Sequence, residues 1–147
     1  MMRAAAAITS VFSICLISVS TLAQSKHPAY ATGQVWQYRA RPDDVASLLK
    51  IQAVEKDPAL TKYGPIYHVS IIGVHLGTDH RLTEIGHLPV SKETLDKSVT
   101  AQVKSDALFP DVTAGIAEWK SAKGGVFTIP VAEIVDAIDR TTQEHGG

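Results

Sequence analysis

The chain has 147 residues, with 14 Lys and Arg against 15 Asp and Glu, and a single cysteine. Charges of both signs are scattered without a basic block, so the sequence lacks the concentrated cationic face that nucleic-acid binding requires. One cysteine excludes a disulfide framework within the chain, and a hydrophobic core therefore has to stabilise the fold unaided.

The N-terminus has the three-part layout of a secretory signal peptide. A positively charged start that includes Arg3 precedes an uncharged apolar run over 4–19. Thr21-Leu22-Ala23 then places small residues three positions and one position before the expected cleavage site. The alternative is a membrane anchor, but the apolar run is about sixteen residues long, against about twenty for a span. We therefore expect residues 1–23 to be removed and the protein to be exported, either to the periplasm or outside the cell.

Removal of the signal peptide takes Cys15 and Arg3 with it, which leaves a cysteine-free mature chain with 13 Lys and Arg against 15 Asp and Glu, a net charge of −2. Residues 24–32 are polar and indicate a flexible leader. We expect one globular domain over 33–140 and a frayed tail over 141–147. No second apolar run approaches membrane length, so we expect no membrane insertion of the mature chain.

The first half of the domain has the alternation of β-strands. Strands are predicted over 33–41, 47–54, 63–75 and 81–88, with Pro89 ending the fourth because proline cannot donate to a ladder. The third run, YGPIYHVSIIGVH, is apolar at both parities, which favours an inner strand covered on both faces. Short polar links join these strands into two antiparallel hairpins.

The second half changes to the period of helices. Ser91 is a credible N-cap for a helix over 92–104, whose apolar stripe is Leu95, Val99 and Val103. A second helix follows Pro110, a short strand covers 126–129, and a third helix follows Pro130. Both of these helices are predicted from the apolar spacing i, i+3, i+4, i+7. The second helix has it at Val112, Gly115, Ile116 and Trp119, and the third at Val131, Ile134, Val135 and Ile138.

The resulting order β-β-β-β-α-α-β-α predicts the α+β class. We expect a bent antiparallel sheet of four to five strands with about three helices on one face. A barrel-like closure of the sheet is the alternative.

Two histidines are the best candidates for a metal site. A hairpin turning at Gly77-Thr78 would place His68 opposite Pro89 and His87 one diagonal step away on the same face. Together with Glu84 they could hold a divalent transition metal such as zinc. A register slip of one residue would send His87 to the other face, and the alternative is ordinary histidines bonded to backbone or solvent.

Other candidate chemistry is weaker. Asp79-His80 with Glu84 could be acid–base machinery, but the segment also has the composition of a solvated hairpin tip. Ser47 and Lys50 have the SxxK spacing of serine acyl-enzymes, yet a strand would put them on opposite faces. No phosphate-binding or nucleophile-elbow motif occurs, and no catalytic residue can be named.

The first strand offers a candidate surface for a ligand or partner. Trp36 and Tyr38 share one parity, and Arg39 and Arg41 flank them, so the strand could present aromatic rings beside cationic groups. The alternative is that the aromatic residues belong to the core and the arginines to a solvated strand end.

Four segments, GQVWQYRARPDD, IYHVSIIGV, HLPVSKETLDKSV and GGVFTIPVAEIVDAI, together resemble a group of small exported bacterial proteins without an assigned function. The resemblance covers about 33–138 and implies one intact domain. It brings no catalytic residue, cofactor or substrate.

The export signal, the small single domain and the lack of a nucleophile motif favour a non-enzymatic protein that binds another protein or an envelope component without a cofactor. Two alternatives stay open. The first is a metal-assisted hydrolase that uses His68 and His87, and the second is a carrier of a small ligand. The sequence does not fix the oligomeric state.

Overall fold

The computed structural model describes residues 29–145, which form a single α+β domain. The predicted signal peptide and most of the leader lie outside the described residues. The elements are β1 (Val35–Tyr38), a 3-10 turn (Pro42–Asp44), β2 (Leu48–Glu55), β3 (Ile66–Leu76), β4 (Arg81–Ser91), α1 (Lys92–Ser98), β5 (Val99–Val103), α2 (Thr113–Ser121) and α3 (Val131–His145).

The five strands form one antiparallel sheet in the order β4-β3-β2-β1-β5. The predicted class, an antiparallel sheet with three helices, is therefore confirmed, and the sheet is open rather than closed into a barrel. Bulges interrupt the β1–β5, β2–β3 and β3–β4 ladders, and such bulges bend and twist a sheet locally.

Strand β3 is an inner strand, as its two-sided apolar pattern predicts. It pairs with β2 on one side and with β4 on the other, and its first six residues, 66–71, are all buried. Because side chains alternate along a strand, burial at consecutive positions requires cover on both faces. Helices α1 and α3 supply the cover on one face, and α2 packs over the other, so the expectation that all helices share one face is wrong.

The main core lies between the sheet and α3. Val131, Ile134 and Val135 are fully buried against strand residues such as Leu49 and Ile71. Complete burial of an aliphatic side chain of this size contributes about 1.5–3 kcal/mol. Helix α3 begins after Pro130 as predicted and continues to His145, so it extends into the predicted tail 141–147.

The predicted helix over 92–104 is wrong in its second half. Helix α1 begins at the predicted N-cap, where Thr94 N donates to Ser91 Oγ, but it ends at Ser98, and Val99–Val103 forms β5. The alternation Val99, Ala101, Val103 fits a strand as well as a helical stripe. The outer edge of β1 decides between them, because β5 hydrogen-bonds to it with Val35 opposite Val103. The fifth strand therefore follows α1 rather than α2.

Pro89 does not end β4, which continues to Ser91. Strand β4 is at the edge of the sheet, and the N–H and C=O positions of one strand residue point to the same side. At Pro89 that side is the outer one, so the N–H that proline lacks would not have bonded to β3. The predicted strand over 126–129 is reduced to a single parallel bridge, in which Phe127 N donates to Pro89 O (2.9 Å) and Ser91 N donates to Phe127 O (2.9 Å).

Candidate functional site

The structure brings the two predicted histidines into direct contact. His68 lies opposite Pro89, the register predicted from the hairpin, and His68 Nδ1 is 2.8 Å from His87 Nε2. The two imidazoles are stacked, with ring centroids 5.1 Å apart and an interplanar angle of 24°. One proton is therefore shared in a hydrogen bond between the rings.

Helix α2 covers this pair. The Trp119 indole meets the His68 ring edge-on at 5.0 Å, and Gly115 lies so close to His87 that a Cβ there would be 2.7 Å from the His87 Cβ. Trp119 is held in turn, because its Nε1 donates to Gly125 O at 2.9 Å. An ion pair of 2.6 Å between Lys120 Nζ and a Glu55 carboxylate oxygen ties α2 to the end of β2.

Burial favours the neutral form of both imidazoles. It lowers the pKa of His68 to about 4, with His87 adding to the effect, and it also lowers the pKa of His87. His68 is only 1% exposed, and its Nε2 is buried without a hydrogen-bond partner among residues 29–145. The pair thus resists protonation and has one unsatisfied ring nitrogen.

Neutral imidazoles are good metal ligands, but the third predicted donor is not part of the contact. Glu84 lies opposite Ile72, farther along the β3–β4 ladder, and its side chain is exposed. Within the part of the chain that the structure describes, no group of three or more His, Cys, Asp or Glu side chains could hold a metal ion. The predicted metal site stays a prediction with two of its donors in contact.

The predicted partner surface on β1 is divided between the core and the surface. Trp36 and Tyr38 are buried in the core, where the Tyr38 hydroxyl is 2.7 Å from Ser47 Oγ. Arg39 is exposed and donates from Nη1 to Lys97 O at 2.7 Å. The two aromatic rings are therefore unavailable to a partner in this conformation.

Arg41, the fourth residue of that surface, belongs to a buried network that sequence reasoning missed. Its Nε donates to Asp44 Oδ2 (2.7 Å), its Nη1 to Asp139 Oδ2 (3.0 Å) and its Nη2 to His75 O (2.6 Å). Asp44 also accepts from the backbone N–H of His75 and pairs with His75 Nδ1, each at 2.9 Å. Burial alone would raise the pKa of Asp44, but the bonds from His75 and Arg41 outweigh it and lower that pKa. The network joins the 3-10 turn, β3 and α3, and its partners satisfy one another.

Exposed apolar side chains also occur in a different region, residues 125–129, which we call the outer segment, while Val45, Leu82 and Leu108 are exposed elsewhere. Phe127 and Ile129 are 36% and 41% exposed, and Tyr63 nearby is 93% exposed. Two larger open cavities flank the segment, and a smaller one of about 300 Å³ is lined by Gly125, Val126 and Phe127. Phe127 and one face of α3 line the first, of about 490 Å³, while Val126, Thr128 and the 60–66 loop line the second, of about 500 Å³.

The outer segment also has unused backbone groups. Both hydrogen bonds of the parallel bridge use Phe127, so the N–H and C=O groups of Val126 and Thr128 point away from β4. Neither residue has a backbone hydrogen bond to any residue between 29 and 145. In the sequence, the β-branched run before Pro130 predicts a strand at this segment. It does not show that the outer edge of that strand is open.

No protein-family model, curated protein or solved structure matches this chain. Among residues 29–145, no helix has the length and apolar character that crossing a bilayer requires.

Proposed function

We propose that this chain is a non-enzymatic binding protein of the bacterial envelope and that it holds another protein or an envelope component at the outer segment. The observation that carries the proposal is exposed apolar surface on both faces of the outer segment, with Phe127 at the cavity of about 490 Å³ on one face and Tyr63 at the cavity of about 500 Å³ on the other. Exposed apolar surface next to shaped cavities is typical of interaction sites.

The polar clusters give less support to an enzyme. The His68–His87 pair lies beneath Trp119, and the Arg41–Asp44 network is occupied by bonds between its own members. A reacting group has to reach its substrate, and His68 Nε2, which has no hydrogen-bond partner among residues 29–145, is buried. Metal-assisted hydrolysis by the histidine pair is therefore less well supported than the binding function.

A second candidate is the carriage of a small ligand in the cavity beside Tyr63. This cavity has the volume of an ordinary small-molecule site and is lined by Leu60, Ile66 and Val126 among others. A small ligand would need this cavity alone. A macromolecular partner would also cover Phe127 and Ile129.

The test is the capture of partners from the envelope extract of the producing organism by three immobilised proteins: wild type, Phe127→Ser and Leu108→Ser. Leu108 is a matched control, because it is 91% exposed and lines neither cavity. Loss of a central apolar contact costs about 2 kcal/mol or more, so we expect Phe127→Ser to reduce capture at least about tenfold and Leu108→Ser to leave it unchanged.

Circular dichroism and thermal unfolding check that each variant is folded. Equal capture by wild type and Phe127→Ser would overturn the proposed binding surface. Binding of a small molecule that survives Phe127→Ser but is lost in a Tyr63→Ser variant would favour the carrier instead.

A further inference from the structure

The geometry of the outer segment points to the kind of partner it takes. We propose that the partner is an extended polypeptide segment of another protein, which adds as a further strand outside Val126–Thr128. This inference rests on the proposed function and deepens it by naming the recognised conformation.

The backbone groups of the outer segment point in two directions. The segment already lies beside β4 at the edge of the sheet, with the N–H and C=O of Phe127 used inward. The outward groups of Val126 and Thr128 form two donors and two acceptors spaced as in a strand. An extended peptide has the complementary spacing, whereas a globular surface or a small ligand does not, and strand addition to an open edge is an established mode of peptide recognition.

The two larger cavities lie on either side of the outer segment. Phe127 lines one cavity, and Val126 and Thr128 line the other, so the two cavities lie on opposite faces of the segment, as strand alternation requires. The side chains of an added strand alternate to the same two faces. A peptide with apolar side chains at successive positions would therefore fill both cavities at once.

A second copy of the chain fits this edge less well than a peptide does. Only Val126, Phe127 and Thr128 of the outer segment lie at or beside the parallel bridge, because the chain bends at Ile129 before Pro130. Pairing of two such segments about a two-fold axis would bring short edges together, while a stable dimer buries about 800 Å² on each partner. A flexible peptide needs less area, since it can follow the edge and enter both cavities.

The test is amide hydrogen exchange measured by NMR on the ¹⁵N-labelled protein purified after export. The probe is a synthetic peptide of alternating valine and threonine with a lysine at each end. Its control is the same peptide N-methylated at every residue, which keeps the side chains and removes the backbone donors along both edges. We expect the plain peptide to slow exchange at the Val126 and Thr128 amides by on the order of tenfold, and the methylated peptide to leave exchange unchanged.

Equal effects of the two peptides, or no slowing by either, would overturn strand addition. Concentration-dependent slowing at these amides without any peptide would show that a second copy occupies the edge and would also overturn it. The proposed function is judged separately, by the capture experiment. If Phe127→Ser loses capture while the Val126 and Thr128 amides stay unprotected, the binding surface is supported and only the strand-addition mode is rejected.

Discussion

The buried histidine pair makes the free energy of unfolding sensitive to acid. In the unfolded chain an imidazole takes up its proton near the ordinary pKa of 6.5, whereas burial and the neighbouring His87 lower the pKa of His68 to about 4 in the folded protein. The stability linked to this group is fully present above pH 6.5 and is lost as the pH falls toward 4. At pH 5 the loss from His68 is about 2 kcal/mol. Burial also lowers the pKa of His87, which adds to the loss.

The assay is denaturant unfolding at about pH 7.5 and about pH 5, followed by tryptophan fluorescence, since Trp119 contacts the His68 ring. The double variant His68→Leu/His87→Leu replaces both partners of the hydrogen bond by apolar groups, so it should keep most of the stability at neutral pH and lose the histidine-dependent part of the acid sensitivity. His145→Gln, at an exposed position, should keep the wild-type response. An acid-induced loss in the double variant as large as in wild type would refute this reasoning.

Two further predictions concern packing and charge. Gly115→Ala should destabilise the protein by about 1–3 kcal/mol, because the new Cβ would lie 2.7 Å from the His87 Cβ, even though alanine favours a helix by about 1 kcal/mol. The control Gly86→Ala, with no atom within 4 Å of the new Cβ, should change the free energy of unfolding by less than about 0.5 kcal/mol. If denaturant unfolding shows equal losses for the two variants, α2 does not pack closely against His87. Arg41→Met should cost about 3 kcal/mol, because it leaves the 2% exposed Asp44 without its cationic partner, whereas Arg39→Met at an exposed site should cost less than about 0.5 kcal/mol. Similar unfolding midpoints for the two arginine variants would show that the network contributes nothing to stability.

The sequence predicts the β3–β4 hairpin well because its signals are local. A long run of β-branched residues fixes the strand, and counting residues from the turn after Gly77 places His68 opposite Pro89. The count holds because the two register shifts between the turn and His68 cancel, which the sequence does not show. The apolar spacing of α3 is equally clear, because its stripe has one period and begins directly after Pro130.

The remaining features depend on distant parts of the chain. Val99–Val103 fits both a helix and a strand, and only the open edge of β1, about sixty residues earlier, selects the strand. The Arg41 network joins residues up to 98 positions apart, so Pro42-Asp43-Asp44 shows only its turn chemistry in the sequence. Likewise, Trp36 and Tyr38 have the pattern of a half-exposed strand, and packing by Tyr30 against Trp36 helps to bury that face.

The most direct test of the central claim is photocrosslinking from within the outer segment in the producing organism. A benzophenone amino acid is placed at Phe127, and in a control protein at Leu108, and the crosslinked products are identified by mass spectrometry. We predict that position 127 crosslinks to one defined stretch of another protein and that position 108 gives no such product. Crosslinks of equal pattern at both positions, or no crosslinked protein at position 127, would contradict a binding function for this surface.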